Sequence, residues 1–469
     1  MRFLLIVFSL ILTTTLSSAA PRNVLMIIVD DLMPRLGCYG DPVAKTPNMD
    51  LLAKNSTIFN RAYCQYPVCN GSRSSLMSGL RPDTTRIYGN NQPAHKELSN
   101  NLVLNRYFME QGFQTIGIGK VYHASKGPEG TWSKPYFKTD WLDYVAPENK
   151  AIADVFFNRE KSRGLPPSIE AGDVPDSAYC DGKAADQAVR EMVDASNHDQ
   201  PFFIVTGFRH PHLPWCAPKK YWDLYDRETL PLADNQYFPD GSPNIALKND
   251  VGELGGYSDI PREHPLTEAQ QRQSVHAYLA CISYVDAQVG KLIAALKDND
   301  LYDDTIILLW SDHGYQLGEH KTWAKGVNWE TSNRMPLLVR VPGRGLAGQR
   351  VNALVELLDV YPTLCEAAGL PVPPHCEGES LLPLLDNPLS EWRDAAFSQL
   401  KKGRVMGRSM RTDRYRFTIW EPVKGGDVQG LELYDLHEDP QGNKNLAYLP
   451  EQEELVERLQ ILHRKNWPQ

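Results

Sequence analysis

The sequence predicts an α/β protein in which helices sandwich a large mixed, mostly parallel β-sheet, followed by a smaller antiparallel sheet and helix. Two observations lead to this prediction. Short apolar runs recur along the chain and are nearly continuous in apolar character, as in strands buried on both faces of a parallel sheet; they occupy residues 24–29, 115–118, 202–205, 306–310 and 337–341. Helical patterns lie between the runs, and strands that alternate with helices favour a sheet covered on both sides.

The clearest helix is predicted to begin at Thr267. The letters T-E-A-Q at 267–270 have the spacing of a capping box, in which the first and last side chains satisfy each other's backbone N–H groups. Apolar residues then recur on one helical face, namely Val275, Tyr278, Leu279, Ile282, Val285, Val289, Leu292 and Ile293.

The pattern changes after about residue 385. Residues 408–420 indicate a strand, a polar turn and an alternating strand, residues 431–436 another strand, and residues 452–465 a closing helix. The sequence therefore predicts a main domain at 21–385 and a C-terminal subdomain at 386–469.

The first 20 residues are typical of a signal peptide. Arg2 is followed by an apolar stretch at 3–12 and by small residues at 17–20. No later segment reaches about 18 consecutive apolar residues, so the sequence predicts an exported protein without a stable membrane span. An N-terminal membrane anchor is the alternative.

Composition limits the classes of partner. The 469 residues carry a net charge of −9, which gives no reason to expect a nucleic-acid partner. An anionic substrate would need a local basic pocket, because the global field opposes it. Among the eight cysteines, Cys365 and Cys376 are the best candidates for a disulfide, since a proline-rich link separates them.

Acidic residues follow two of the predicted strands. Asp30 and Asp31 end the first run, and Asp312 and His313 follow the run at 306–310. Ligands of open α/β sheets gather at the carboxyl ends of strands, and adjacent carboxylates repel each other unless a cation lies between them. Taken alone, one aspartate could simply cap a helix. Together the two corners predict an oxygen-rich pocket for a hard cation, and Ca²⁺ is favoured over Mg²⁺ by ligand number and flexibility.

Basic residues follow three predicted strands. Lys120 and His123 come first, His212 follows the run at 202–205, and Lys325 follows the Asp312 corner. Lysine acts as a point charge against the oxygens of an anion. His210, in the same loop as His212, is expected to be structural.

A cysteine segment resembles a known signature. The letters C-N-G-S-R at 69–73, followed by S-G-L-R-P at 78–82, resemble the sulfatase signature C-x-P-S-R with a downstream S/T-G-x-x-P. The resemblance implies that a maturation enzyme oxidises Cys69 to formylglycine, whose hydrate attacks sulfur. Gly71 stands where the family usually has proline.

Other segments resemble the iduronate-2-sulfatase-like branch of this family. They are G-K-V-x-H at 119–123, G-x-x-x-P-H-x-P at 207–214, the D-H-G-x-x-L-G-E-H stretch with W-A-K at 312–325, and E-L-Y-D-L at 432–436 in the C-terminal subdomain. The resemblance implies an alkaline phosphatase-like fold and one Ca²⁺ per chain held by Asp30, Asp31, Cys69, Asp312 and His313. It also implies a catalytic set of Cys69, Arg73, Lys120, His123, His212 and Lys325.

The resemblance also implies roles for these residues. Lys120 and Lys325 would bind the sulfate, Arg73 would chelate or orient the nucleophile, His212 would protonate the leaving alcohol, and His123 would act as a base. The substrate would be a carbohydrate sulfate ester, and Arg209 or Lys321 could bind a uronate on it.

Two other functions stay open at the level of sequence. A phosphatase or phosphonate monoester hydrolase on the same fold would share the metal carboxylates, although many use threonine or serine and two metals. The second alternative is a catalytically silent binder of sulfated glycans. It is suggested by Gly71, because glycine makes the backbone more flexible in the segment that a maturation enzyme recognises.

Overall fold

The computed structural model describes residues 23–140, 143–157, 166–248, 251–261 and 265–467. The signal peptide predicted at 1–20 lies outside the described residues. The strands, in chain order, are β1 Asn23–Val29, β2 Thr57–Tyr63, β3 Gln114–Gly119, β4 Ile169–Gly172, β5 Phe202–Phe208, β6 Trp215–Pro218, β7 Thr305–Ser311, β8 Arg334–Arg340, β9 Arg350–Val351, β10 Val355–Glu356, β11 Ala396–Lys402, β12 Val405–Arg411, β13 Tyr415–Pro422 and β14 Gly430–Asp435.

The α-helices, in the same order, are α1 Pro47–Ala53, α2 Cys69–Ser78, α3 Pro82–Thr85, α4 Ala94–Glu97, α5 Leu104–Glu110, α6 Pro147–Phe157, α7 Cys180–Ala195, α8 Lys219–Trp222, α9 Glu268–Asp298, α10 Glu330–Asn333, α11 Val360–Ala367, α12 Leu382–Asp386 and α13 Glu453–Asn466.

The main sheet has eight strands in the order β10-β2-β8-β7-β1-β5-β3, with β9 beside β2. β1 is an interior strand and pairs in parallel with β5 and β7, which confirms the mixed, mostly parallel sheet. All five predicted strands are present. β8 departs from the expected direction, because it is antiparallel to both β2 and β7. Its apolar run reflects burial on two faces, which is independent of strand direction.

Two apolar cores cover the two faces of this sheet. Leu25 and Ile27 of β1 join one core with α7 and α9, whereas Val24 and Met26 join the other with α2, α5 and α11. Successive side chains of a strand point to opposite faces, so β1 needs apolar residues at every position.

Helix α9 begins with the predicted capping box. The Gln270 backbone N–H donates to the Thr267 hydroxyl, and the Thr267 N–H donates to the Gln270 side chain at 2.9 Å. Within the described residues, α9 is the one helix long and apolar enough to cross a membrane by composition, and 72% of its most apolar window is buried in the protein.

The C-terminal sheet has the order β11-β12-β13-β14 and is antiparallel throughout. Helix α13 packs Val456 and Leu459 against Phe417 and Leu433, as the pattern of residues 408–465 predicted. β11 precedes the range 408–420 in which the first C-terminal strand was expected. This strand joins the two parts of the chain, because the Gln399 backbone N–H donates to a carbonyl in the segment between β2 and α2 at 2.9 Å.

The predicted disulfide is absent. Cys365 and Cys376 are both free thiols and pack in the same apolar core. Burial raises the pKa of Cys376 to about 12 and that of Cys365 further. The pairing expected from the proline-rich link was therefore wrong, since a short link does not fix the distance and orientation that two sulfur atoms need.

Candidate active site

The carboxyl ends of β1 and β7 place the predicted acidic residues side by side. The strands pair in parallel up to their last residues, so Asp30 and Asp312 follow at the same edge of the sheet. The backbone N–H of Asp31 donates to Oδ1 of Asp312 at 3.2 Å, and the Tyr278 hydroxyl donates to the Asp31 carbonyl at 2.6 Å. These bonds hold Asp31 at a φ of 61°, a left-handed conformation that is uncommon for a non-glycine residue.

Helix α2 brings Cys69 to the same edge. Cys69 is its first residue, and all ten residues of the helix are buried. The Ser72 hydroxyl donates to the Asp312 carbonyl at 2.5 Å, which fixes the first turn against the end of β7. Nε2 of His313 lies 3.2 Å from the Cys69 sulfur. The N-terminal end of a helix favours negative charge, so this position suits a nucleophile that carries or develops one.

Three cationic groups around Cys69 determine the pKa of its thiol. Burial alone would raise the pKa of the thiol, but Lys325, Lys120 and His313 outweigh burial and the charge of Asp30, and hold this pKa well below its usual value. In return, Asp312 and Cys69 raise the pKa of His313 to about 10 although burial opposes this.

Arg73 forms hydrogen bonds with two of the acidic residues, Asp30 and Asp312. Its Nε donates to Oδ2 of Asp312 at 2.8 Å and its Nη2 to Oδ1 of Asp30 at 3.0 Å. Its Nη1 donates to the carbonyls of Lys120 and Val121. Burial disfavours the charged guanidinium, yet Asp312 and Asp30 raise the pKa of Arg73 above its usual value. The side chain is fully buried, so it positions these carboxylates and the Lys120 segment.

Two lysines neutralise the aspartates that follow β1. The Lys120 Nζ contacts Oδ2 of Asp30. The Lys325 Nζ donates to both carboxylate oxygens of Asp31, at 2.8 and 3.0 Å, and lies 2.9 Å from Glu253. Burial alone would lower the pKa of Lys325, but Asp31, Cys69 and Glu253 raise it well above its usual value.

His212 and Glu253 form a pair that the sequence did not reveal. Nδ1 of His212 lies 2.5 Å from the Leu213 carbonyl, so this nitrogen carries a proton. Nε2 faces Oε1 of Glu253 at 3.4 Å. Burial would raise the pKa of Glu253, but His212 and Lys325 lower it to about 2. Glu253 lies in a 3₁₀ segment, Gly252–Gly256, where no strand end marks it.

His123 lies beside Cys69. Its Nδ1 is buried and has no hydrogen-bond partner among the described residues. Burial lowers the pKa of His123, although the Cys69 thiolate acts in the opposite direction. The neutral imidazole is therefore favoured, and it can accept a proton.

The ligand atoms of Asp30, Cys69, Asp312 and His313 all lie within 4.8 Å of one another, and all four residues are buried. Asp31 belongs to an overlapping group with Cys69 and His212. Burial raises the pKa of Asp312 to about 7 even though Arg73 opposes this, so the bare carboxylate is destabilised here. A divalent cation would relieve that cost, and these donors fit a hard cation that also accepts one histidine.

A cavity of about 520 Å³ lies beside these groups. Lys120, His123, His212 and Glu253 line it, together with Arg209. Its wall supplies cations that can bind an anion and two histidines that can exchange protons, and Lys120 contacts Asp30 of the buried cluster that also holds Cys69. This chemistry is suited to hydrolysis of an anionic ester.

Two further basic residues of the sequence analysis have different positions. Arg209 lines the active-site cavity, whereas Lys321 lines another cavity and lies 5.3 Å from the Phe238 ring. Lys321 is therefore not placed to bind a uronate at this site. Nδ1 of His210 lies 2.7 Å from Asp181, which also accepts the N–H of Arg209 at 2.7 Å. This agrees with a structural role for His210.

The chain is similar to known enzymes over most of its length. The family described as Sulfatase matches residues 22–370, and the family described as N-sulphoglucosamine sulphohydrolase, C-terminal, matches residues 318–466. An iduronate 2-sulfatase of Mus musculus is 33% identical, and the match covers 92% of this chain and 91% of that protein.

Solved structures share the fold. A 2-O GAG sulfatase has a TM-score of 0.74 at 23% identity, with 95% of this chain and 92% of that chain covered. A phosphonate monoester hydrolase of Silicibacter pomeroyi has a TM-score of 0.75 at 22% identity, with 94% and 95% covered. At such identities the structures establish the common fold and do not separate the two activities.

Proposed function

Because the chain belongs to the sulfatase family, it is a sulfate ester hydrolase, and we propose that it removes sulfate from a carbohydrate in the cavity beside Cys69. The observation that carries this proposal is the position of Cys69 at the start of a buried helix, 3.2 Å from His313 and beside the lysine-bound aspartates. The iduronate 2-sulfatase relative supports a sugar substrate, and a 2-O-sulfated uronate is the first candidate.

We propose that Cys69 is converted to formylglycine by a separate maturation enzyme. The hydrated aldehyde supplies a hydroxyl nucleophile and a second hydroxyl whose loss of a proton allows sulfate to leave. The chain's own contribution is the helix N-terminus, which favours the negative charge that develops at this position.

We propose that Asp30, Asp31, Asp312 and His313, with the modified Cys69 side chain, hold one Ca²⁺. The bound cation supplies positive charge that stabilises the sulfate oxygens and the developing oxyanion. Arg73 keeps Asp30 and Asp312 in place through its bonds of 3.0 and 2.8 Å.

Lys120 and Lys325 bind the oxygens of the sulfate group. Both ammonium groups lie beside aspartates that follow β1, so their charges are fixed at the sheet edge before substrate arrives. Prepositioned charges of this kind stabilise a transition state without reorganisation.

His212 and His123 are assigned two different proton transfers, one as the acid and the other as the base. His212 holds its Nδ1 proton against the Leu213 carbonyl and can carry a second proton on Nε2, facing Glu253, for the leaving alcohol. His123, whose pKa is lowered chiefly by burial, lies beside Cys69 and accepts a proton there.

The N-terminal segment leads to a proposal about where the enzyme works. The segment 1–20 has the composition of a signal peptide, and we propose that the mature enzyme works outside the cytoplasm after its removal.

One experiment tests the whole proposal. The Cys69 peptide of the purified protein is analysed by mass spectrometry, and a panel of sulfated mono- and oligosaccharides is assayed with and without a chelator. We expect the mass of an aldehyde in place of the thiol, sulfate release from a sugar sulfate, and loss of activity with chelator. An unmodified thiol with no sulfate release would instead support a silent glycan binder. Faster hydrolysis of phosphonate or phosphate monoesters would support the second alternative.

A further inference from the structure

Arg209 and His212 lie on one tight turn between β5 and β6. The backbone N–H of His212 donates to the Arg209 carbonyl at 3.0 Å, which closes the turn at residues 209–212. Loops are the mobile parts of a fold, and a functional side chain on a loop depends on a rigid scaffold for its position. The position of His212 therefore depends on what holds this turn.

A buried carboxylate holds the turn from one side. Oδ1 of Asp181 accepts the Arg209 N–H at 2.7 Å, and Oδ2 accepts the His210 N–H at 2.9 Å. The same Oδ2 lies 2.7 Å from Nδ1 of the His210 ring. Both oxygens of Asp181 are thus directed at two consecutive residues of the turn that carries His212.

Asp181 is itself fixed in place. It is 1% exposed and lies in the first turn of α7, where the helix end favours a negative charge. The next residue, Gly182, donates its N–H to the Tyr284 hydroxyl of α9 at 2.6 Å, and the Tyr284 ring lies 5.8 Å from the His210 ring. The turn is therefore tied, through Asp181, to two long helices of the core.

The surroundings of Asp181 favour this anchoring role over metal binding. Ligand atoms of Cys180, Asp181 and His210 lie within 4.8 Å of one another. However, both carboxylate oxygens already accept N–H groups, and burial together with the Asp181 charge raises the pKa of the Cys180 thiol well above its usual value. A metal needs deprotonated ligands, and this thiol stays protonated.

A buried carboxylate costs free energy unless directed hydrogen bonds compensate for its lost hydration. The bonds that compensate Asp181 go to the turn, so the charge and the position of the turn depend on each other. A displacement of about 1 Å at a reacting group can cost on the order of 10²-fold in rate.

We propose that Asp181 is a positioning residue that keeps His212 within reach of the leaving oxygen. The inference rests on the proposed function, in which the S–O bond of the ester breaks and Nε2 of His212 gives its proton to the departing oxygen. Asp181 touches neither the substrate nor the sulfate. It acts through residues 209–212.

The first test assays Asp181→Asn on two sulfate esters with different leaving groups. The amide of asparagine cannot accept a hydrogen bond through its nitrogen, so the turn loses at least one bond. A sugar alcohol leaves as a strongly basic alkoxide and needs the proton, whereas para-nitrophenolate is a stable anion that leaves without one. We expect kcat on the sugar sulfate to fall by about 30-fold or more with little change in KM, and kcat on para-nitrophenyl sulfate to fall by less than about threefold.

Asp186→Asn is the matched control. It changes a carboxylate of the same helix that is 35% exposed and pairs with Lys291, and it should leave kcat on both esters in place. Circular dichroism checks folding in each variant. An equal loss on both esters would mean that Asp181 supports only the fold, and an unchanged kcat on the sugar sulfate would mean that the turn does not need it. Either result overturns the inference.

A second pair of variants leaves the Asp181 carboxylate in place. In His210→Ala the ring donor is lost, whereas in His210→Asn the amide nitrogen takes the place of Nδ1 and donates to the same oxygen. We expect kcat on the sugar sulfate to fall by about tenfold in His210→Ala and by less than about threefold in His210→Asn. The same loss in both variants would contradict the inference. A wild-type protein that releases no sulfate from any sugar is a separate outcome, which overturns the proposed function itself.

Discussion

At the scale of single residues, the active site is a cluster of buried charges that balance one another. Asp30 and Asp312 are fully buried, and Arg73 bonds to both. Breaking a buried ion pair leaves an uncompensated charge, which costs about 3–5 kcal/mol. Residues of this cluster therefore contribute to the free energy of unfolding as well as to catalysis. Variants at these positions are informative only when folding is measured together with activity.

Replacing Cys69 tests the nucleophile. We expect Cys69→Ala to fold and to lose sulfatase activity by about 10³-fold or more, because no other nucleophile occupies the start of α2. The measurement is kcat on the best sugar sulfate, with circular dichroism as the check on folding. Cys281→Ala, which removes a buried thiol of α9, is the matched control and should retain turnover. Full activity in the Cys69 variant would exclude this mechanism.

Replacing Glu253 tests the acid pair. Glu253 has a pKa of about 2, so it is ionised at working pH beside Nε2 of His212 and the ammonium of Lys325. With Glu253→Gln this negative charge is lost, so we expect kcat/KM on the best sugar sulfate to fall by about tenfold. Glu366→Gln changes an exposed carboxylate of α11 and should leave kcat/KM unchanged. An unchanged kcat/KM in the Glu253 variant would show that this carboxylate does not assist the acid.

At the scale of elements, helix α2 explains the departure from the family signature at position 71. A Cβ atom added to Gly71 would lie 2.7 Å from Cδ1 of the Tyr66 ring, closer than real Cβ contacts come. The Tyr66 hydroxyl in turn donates to the Tyr88 carbonyl and accepts the Lys401 N–H at 3.1 Å. The ring is therefore fixed, and a glycine is required opposite it. Space, in addition to backbone freedom, accounts for Gly71.

This fit can be measured with a double-mutant cycle. We expect Gly71→Ala to lower the free energy of unfolding by about 1–3 kcal/mol, since overpacking a rigid core is costly. In a Tyr66→Ala background the cost of Gly71→Ala should largely disappear, because the ring is gone. Gly89→Ala is the control, as no atom lies within 4 Å of a Cβ added there. The same cost of Gly71→Ala in both backgrounds would contradict the steric explanation.

Helix α13 gives the C-terminal subdomain a pH-dependent contact. His463 is 2% exposed, its Nε2 lies 3.1 Å from the Arg408 carbonyl, and burial lowers its pKa to about 4. Between about pH 6.5 and 4 the unfolded chain binds a proton there that the folded chain does not, so stability falls as pH falls. The lost contribution is about 3 kcal/mol.

We expect His463→Gln to flatten this dependence. The measurement is the melting temperature from pH 7 to 4.5, expressed as the difference between variant and wild type. The melting temperature of the variant minus that of the wild type should increase as pH falls. His198→Gln replaces a histidine that is 58% exposed and should give a constant difference. A constant difference for His463→Gln would contradict the prediction.

At the scale of the whole molecule, the cation site joins distant parts of the chain. Its proposed ligands follow β1, begin α2 and follow β7, so they are separated by up to 283 residues between Asp30 and His313. A ligand that binds only the folded state stabilises it by about 2.7 kcal/mol at 100 times its Kd. A bound cation should therefore raise the stability of the entire main domain.

Removal of the metal tests whether a bound cation stabilises the main domain. We expect one divalent cation per active chain by elemental analysis, a melting temperature lowered by several degrees in EDTA, and recovery on adding Ca²⁺. Asp312→Asn should bind less metal and show a smaller response to EDTA. Asp427→Asn, an exposed position, should respond like the wild type. Active enzyme without a stoichiometric ion would refute the site.

The fold class, the positions of five main strands along the chain and the family could all be predicted from the residues alone. Apolar runs mark β1, β3, β5, β7 and β8 because burial on both faces needs apolar side chains throughout. The signature around Cys69 and the acidic strand ends could be read directly, because parallel strands deliver their last residues to one edge of the sheet. The capping box of α9 is likewise a local feature that four residues define.

Only the tertiary structure decided which of these residues meet. Glu253 was not among the predicted site residues. It pairs with His212, 41 residues before it, and with Lys325, 72 residues after it, and no local sequence pattern indicates such a carboxylate. Lys321 and Lys325 are four residues apart, yet Lys325 contacts Asp31 whereas Lys321 lies in a turn with positive φ and packs against the Phe238 ring. The requirement for Gly71 arises from a ring that packs across the helix. Such contacts depend on how helices, strands and loops pack against one another in space. A sequence pattern indicates only the local conformation of each element, so it does not predict them.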